Sequence, residues 1–449
     1  MSRRRTHIAM IGIPAVSHVL PSLEIVRELV ARGHRVSYAN DPAVAGLITD
    51  AGAEFVPYAS VLPVADNDWP ADPIAAMDVF LDDAVQALPQ LRAAYDQDRA
   101  DLYLYDIGAY AARALAESQG RPVLQLSPTF VAWDGYEHQE MAAQLWALPG
   151  ADAYRAKFAQ WLAVSGASTT DVDTFSGRPA RALAMIPRAM QPQAEHVDPD
   201  VVTFVGPCFG SRADREAWTR PADAENVLLI SLGSAYTNQP EFYRRCVEAY
   251  GDLEGWHVVL QIGKYTDPGA LGDIPGNVEV HSWVPQLAIL EQADAFVTHA
   301  GMGGSSEGLY AGVPMIAVPQ GAEQFMNADR LVGLGVARRI DTADATAEAL
   351  RTALTGLVAD PDVARRSARL RAEARAEGGT ERAAGLIEKM LGGPRPRTRG
   401  RGGRSCAPRP GAGSGRTGKD RPAAQRRHPS AREGDPGGVR GARRPALRP

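Results

Sequence analysis

Short apolar runs alternate with stretches of helical periodicity along most of this chain, and the alternation is run through twice. Ile8 to Ile13 reads as a first buried strand and Leu20 to Ala31 as a helix. Further strands are predicted at Arg35 to Ala39, Leu102 to Tyr105 and Val123 to Leu126, with residues 130 to 170 helical. Continuous rather than alternating apolarity marks strands covered on both faces, as a parallel sheet requires. Strand–helix–strand order therefore predicts an α/β fold with a doubly wound parallel sheet. A polar, proline-containing stretch from Gly206 to Asn226 interrupts the pattern. It then restarts with Val227 to Leu232, Trp256 to Ile262, Val278 to Val280, Asp294 to Thr298 and Met315 to Val318. A chain of 449 residues is too long for one ordinary core. The expected division is a first domain over 1–206, a linker over 207–226, a second domain over 227–392 and a tail over 393–449.

The tail differs in kind. It has no aromatic residue and is rich in Arg, Pro and Gly. It carries 16 Lys/Arg against 3 Asp/Glu, leaving 32 against 50 in the rest of the chain. Too little apolar surface is available to offset chain entropy, so a disordered basic extension is expected. A nucleic-acid-binding arm and an out-of-frame reading of GC-rich DNA are the alternatives. Cys208, Cys246 and Cys406 form neither a metal spacing nor a disulfide framework, which fits a reducing cytoplasm with no structural metal. Arg3 to Arg5 ahead of Ile8 to Val16 imitates a signal peptide. That apolar run is short, is broken by Pro14 and His18, and lacks a cleavage site. No segment approaches the ~20 apolar residues of a membrane span.

Chemistry concentrates between His281 and Glu307. Trp283 can stack a flat base, and Gln286 carries a donor and an acceptor for a base edge. Gly301, Gly303 and Gly304 stand where the strand ending at Thr298 turns into a helix. Outward N–H groups and the helix dipole favour an anion there. His299 can add a hydrogen bond to a phosphate oxygen, and Glu307, in the first helical turn, can accept from two ribose hydroxyls. Ser234, after the strand Val227 to Leu232, can donate to a diphosphate. Taken singly, each feature is ordinary packing or a capping turn. Their ordered combination points to a nucleotide diphosphate. No Walker lysine and no early G-x-G-x-x-G is present, so a nucleotide-sugar fits better than ATP or NAD.

Residues 281 to 324 resemble the signature of UDP-sugar glycosyltransferases of the GT-B fold. The agreement runs through Gly312-Val-Pro-Met-Ile-Ala-Val-Pro-Gln320 to Glu323-Gln324. Over roughly residues 5 to 390 the chain is similar to the macrolide-inactivating glycosyltransferases of actinomycetes. The closer match lies in segments such as Arg27 to Val36 and Val278 to Leu290. This resemblance implies two Rossmann-like domains facing a cleft, with a last helix near Glu381 to Leu391 returning to the first domain. It also implies a co-substrate, UDP-glucose or a related UDP-hexose, rather than a cofactor. Ser305 completes the glycine nest with Gly303 and Gly304, while Glu323 and Gln324 suit the sugar hydroxyls.

Transfer to a hydroxyl needs a base. His18, in the loop after the first strand, and Asp106, at the end of Leu102 to Tyr105, can meet at one sheet edge as an oriented imidazole. The bare residues fit two helix caps equally well. The resemblance aligns His18 with the family's base and Asp106 with its partner. Where the family writes His-Gly-His-Val-Asn-Pro, this chain has Val16-Ser-His-Val-Leu-Pro21, which puts the acceptor contacts in question. Trp69, Phe130, Trp133 and Trp146 are candidates for lining a broad apolar acceptor pocket. The expected reaction is an inverting, metal-independent hexosyl transfer to a macrolide by a monomer or homodimer, without nucleic acid or membrane. Alternatives are the same fold acting on a phenolic or other polyketide aglycone or with a deoxysugar donor, and a non-catalytic nucleotide-sugar or drug-binding protein.

Overall fold

The computed structural model describes residues 5–392, apart from 67, 136–139, 216, 235 and 322. The tail expected to be disordered lies outside the described residues. Two parallel sheets carry the molecule. The first comprises β1 (His7–Ile11), β2 (Arg35–Asn40), β3 (Glu54–Pro57), β4 (Leu102–Asp106), β5 (Val123–Ser127), β6 (Ala182–Ala184) and β7 (Val202–Phe204), in the order β3-β2-β1-β4-β5-β6-β7. The second comprises β8 (Asn226–Ser231), β9 (Trp256–Gln261), β10 (Val278–His281), β11 (Ala295–Thr298), β12 (Met315–Ala317) and β13 (Ala337–Arg339), in the order β10-β9-β8-β11-β12-β13. This is the doubled Rossmann-like arrangement that the strand–helix alternation predicts. The short strands β3, β6, β7 and β13 have no counterpart among the predicted ones. Each has only three or four residues, and β3, β7 and β13 do not stand out as apolar runs as the equally short β11 and β12 do.

The strands are apolar on both sides because both sides are covered. In β1, Ile8 and Met10 join one core, whereas Ala9 and Ile11 join the opposite one. The Ala9 face is covered by the long helix Pro73–Tyr95 through Leu81, Leu88 and Leu91. The Ile8 face is covered by the helix Val16–Ala31 and by the last described helix, Gly379–Gly392. Ala383, Ala384 and Ile387 of that last helix are fully buried in the first lobe's core. Burying the Ile387 side chain alone stabilises the docking by about 1.5–3 kcal/mol. Arg32 and His34 fix the register through Glu388, at 2.8 and 3.0 Å. The chain therefore crosses between lobes twice, once near Gly206 and once near Gly378. Among the described residues, no helix is long and apolar enough to cross a membrane.

Sheet order determines where ligands can bind. In each sheet the winding reverses between two neighbouring parallel strands, β1 and β4 in the first and β8 and β11 in the second. The connections from such strands leave in opposite directions and open a crevice at the carboxyl ends. Ile11 pairs with Tyr105, and Ser231 with Thr298, so the residues just beyond them face each crevice.

Candidate active site

His18 and Asp106 occupy the first crevice. His18 lies in the first turn of the helix Val16–Ala31, not in the loop expected before it, because helical backbone already starts at Val16. Its amide bonds the carbonyl of Ala15 at 2.9 Å. Asp106 is the last residue of β4 and is 1% exposed. His18 Nδ1 lies 2.9 Å from Asp106 Oδ2 and 3.1 Å from Oδ1, while Oδ1 also accepts the Gly108 N–H at 2.8 Å. A buried carboxylate beside Nδ1 favours the tautomer with its proton on that nitrogen and leaves Nε2 as the basic one. The ring keeps 27% exposure. Burial works against its charged form, but the charge and hydrogen bond of Asp106 outweigh it, with a smaller contribution from Glu323. Its pKa is raised above the usual 6.5. Glu323 belongs to the second lobe, which therefore comes near this ring.

The second lobe carries the candidate nucleotide residues. Trp283 is 58% exposed, an open aromatic face beyond the end of β10. His299 follows β11 and sits between two glycines. A Cβ on Gly233 would come within 2.6 Å of the ring, and one on Gly301 would collide with Nε2. Burial lowers the His299 pKa to about 4, partly offset by the Ser231 backbone, so this ring is neutral at physiological pH. It can supply a hydrogen bond but not a charge. Next to it Ala300 takes the left-handed conformation (φ 59°), a strain of order 1–3 kcal/mol that such sites commonly hold. Asn327 supports that turn by donating to the Ala300 carbonyl at 2.9 Å. Ser234 is exposed in the loop beyond β8.

Three expectations about the glycine segment need correction. The helix begins at Met302, capped by Gly301, and runs to Ala311. Ser305 is thus already inside it: its N–H bonds the Gly301 carbonyl at 2.9 Å and its side chain is fully buried. The free N–H groups at this end are those of Met302, Gly303 and Gly304, and Gly303 is open to solvent. Glu307 lies in the second helical turn rather than the first and is 5% exposed. It is already engaged: Gln286 Nε2 donates to its Oε2, and Arg212 Nη1 donates to its Oε1 at 2.8 Å. One of the two N–H donors of the Gln286 amide is thus engaged by Glu307.

Near the dyad, Trp69 stacks on Phe80 with ring centroids 5.5 Å apart. A Cβ on Gly108 would meet Asp106 Oδ1, Ile13 and Phe80 within 3.4 Å, so Phe80 lies close to the Asp106 carboxylate. Phe130 and Trp133 pack instead against the core cluster that contains much of the second lobe, and Trp146 stacks on Tyr154, 6.3 Å away. Trp69 and Trp146 thus pack against one core cluster, and Phe130 and Trp133 against another. Gln324 is 3% exposed, and its Oε1 accepts from the Gln320 and Gly321 amides at 2.8 and 3.3 Å, shaping the loop beside the exposed Glu323. Sequence reasoning missed Arg212, Phe80 and Tyr236. Arg212 sat in a stretch read only as linker, and Phe80 in an ordinary helical pattern. Tyr236 lies against Gly321 near Glu323, and its only signal was its place two residues after Ser234.

Two Rossmann-like lobes, one carrying an imidazole oriented by a buried carboxylate and the other a glycine-rich helix start, are the arrangement of a nucleotide-sugar glycosyltransferase. A family model described as UDP-glucoronosyl and UDP-glucosyl transferase matches residues 186–371. The chain is 55% identical over 392 residues to oleandomycin glycosyltransferase of Streptomyces antibioticus, covering 86% of this chain and 91% of that protein. It is 32% identical to the NDP-glycosyltransferase YjiC of Bacillus subtilis, over 86% and 98% of the two chains. Among solved structures, the glycotransferase of kitacinnamycin matches with TM-score 0.80 at 54% identity, covering 86% of this chain and 99% of that one. The calicheamicin glycosyltransferase CalG4 matches with TM-score 0.77 at 32% identity, over 87% and 99%. The chain belongs to the UDP-glycosyltransferase family and has its GT-B fold.

Proposed function

We propose that this enzyme transfers a hexose from a UDP-hexose, glucose foremost, to a hydroxyl of a macrolide, and thereby inactivates it. The observation that carries this reading is the His18–Asp106 pair at 2.9 Å, facing the donor lobe across the crevice. His18 Nε2 takes the acceptor proton as the acceptor oxygen attacks the anomeric carbon. The bond from that carbon to the diphosphate breaks with its electron pair leaving on UDP, so an α-linked donor yields a β-linked product. The N–H groups of Met302, Gly303 and Gly304, the helix dipole and neutral His299 take up the charge developing on the diphosphate. Trp283 stacks the base, Glu307 accepts from ribose, Ser234 donates to phosphate, and Glu323 with Gln324 addresses the sugar. In this scheme no divalent ion takes part.

The dyad argues against a purely binding role, because Asp106 sets the tautomer that leaves Nε2 basic on a partly exposed ring. The macrolide acceptor rests on the 55% identity to oleandomycin glycosyltransferase. A second acceptor class has its own support. The protein named for kitacinnamycin is as similar, at 54%, and the Trp69–Phe80 wall suits any large apolar aglycone. The test is incubation with UDP-glucose and oleandomycin, with and without chelator, read by mass spectrometry. Addition of one hexose in both arms is expected. No addition to any macrolide, with addition to another aglycone, would transfer the assignment to the second class.

A further inference from the structure

The stretch between the lobes does more than connect them. Its short helix, Arg212–Arg215, carries two arginines three residues apart, and each grips a carboxylate on a different lobe. Arg215 Nη2 bonds Glu24, buried in the helix that presents His18. Arg212 Nη1 bonds Glu307 Oε1 at 2.8 Å, on the helix whose amino end forms the anion cradle. The grip on that second helix has two points. Phe209 packs edge-on against Tyr310, ring centroids 5.1 Å apart, so linker residues 209 and 212 meet helix residues 310 and 307 in matching three-residue steps. Arg212 and Glu307 are both largely buried, at 16% and 7% side-chain exposure, so their attraction is only weakly screened.

The geometry points to Arg212 as a positioning residue of the nucleotide site, holding Glu307 so that its remaining lone pairs receive the two ribose hydroxyls. This rests on the reading of Glu307 as the ribose acceptor. The physical case is one of preorganisation. Glu307 has one oxygen on Gln286 and the other on Arg212, so its rotamer is fixed before any ligand arrives. Without the guanidinium, one oxygen of a buried carboxylate loses its charge-assisted bond. The side chain is then free to turn toward water or Gln286. Because Arg212 comes from the linker, the ribose subsite is complete only when the interlobe segment is docked.

The experiment measures binding of UDP and of 2′,3′-dideoxy-UDP to the full chain by calorimetry, in wild type, Arg212→Gln, Arg212→Lys and Arg215→Gln. Wild type should prefer UDP by about ten-fold or more, the usual worth of hydrogen bonds to a charged acceptor. Arg212→Gln should lower that preference to within about three-fold and raise the donor KM with little change in kcat. Arg212→Lys should restore part of it. Arg215→Gln, which leaves Glu307 untouched, should keep the wild-type preference. A wild type that does not distinguish the two ligands would sink the reading of Glu307 itself. A wild type that does, with Arg212→Gln and Arg212→Lys discriminating equally well or binding UDP more tightly, would overturn the role of Arg212 alone. Thermal melts show whether each variant is folded, and Arg212→Lys carries the test if Arg212→Gln is not.

Discussion

Replacing Asp106 with Asn is the sharpest probe of the proposed chemistry, because it changes charge and tautomer while conserving shape. In the native protein Oδ1 accepts the Gly108 N–H at 2.8 Å and Oδ2 faces His18 Nδ1 at 2.9 Å. An Asn keeps its oxygen on Gly108 and turns its NH2 toward His18. Nδ1 must then accept, which puts the ring proton on Nε2, the nitrogen that has to be bare to act as a base. The lost charge-assisted bond is worth about 1.5–3 kcal/mol, and general-base assistance as a whole about 10²–10⁴ in rate. The expected drop in kcat is therefore about 10²–10³, with UDP affinity unchanged because the nucleotide lobe is untouched. The pH profile carries a second signature. A base must be neutral, and the raised His18 pKa sets the acid limb of activity above 6.5. Without Asp106, burial is opposed only by the more distant Glu323, so the limb of the residual activity moves to lower pH. Linkage has the same sign: the pair stabilises the fold below 6.5, and this is lost as pH rises through the higher folded value. The assay is hexose transfer measured from pH 5.5 to 9 with UDP binding in parallel. A kcat within three-fold of wild type, or an acid limb that stays put, would refute the dyad.

Other perturbations test other parts of the molecule. Gly301→Ala would place a methyl against His299 Nε2, so UDP binding measured by calorimetry should weaken at least ten-fold. Glu377, at the second chain crossing, is pushed by burial from near 4.5 up to about 7, with the Arg188 amide pulling the other way. The folded state therefore holds a proton that the unfolded chain releases, and stability contributed below pH ~4.5 declines as pH rises toward 7. Melting temperatures of Glu377→Gln, compared with wild type between pH 5 and 8, should show a flatter profile.

The fold was legible wherever a strand was long enough and apolar on both faces. β1, β8, β9 and β11 announced themselves because each crosses a sheet centre and has helices above and below it. β3 and β7 did not, since as edge strands they are short and Glu54 and Pro57 open one of them to water. Helix starts were missed in a consistent direction. Both Val16 and Met302 begin helices earlier than periodicity indicated, because Ser17, Gly303 and Gly304 carry no apolar signal. Local pattern sees the packed face of a helix and is blind to a first turn that faces a crevice, and in this fold those turns are where ligands bind.

That blindness explains which candidate residues strand order brings together and which it does not. His18 and Asp106 follow strands that neighbour each other at the reversal of the sheet, so topology alone brings them together once the strands are known. His299 follows β11, at the reversal of the second sheet, by the same logic, whereas Trp283 follows the edge strand β10. Glu307, Gln286 and Arg212 do not, because their meeting depends on where an irregular linker docks, and no periodicity encodes that. The misreading of Ser305 has the same origin: because the helix already runs from Met302, the serine N–H is bonded one turn in rather than facing an anion. A site built at a topological switch point is thus half determined by strand order, which the sequence displays, and half by side-chain contacts between segments far apart in the chain. In this protein the second half converges on Glu307, where the linker, the helix Gln286–Leu290 and the helix Met302–Ala311 all meet.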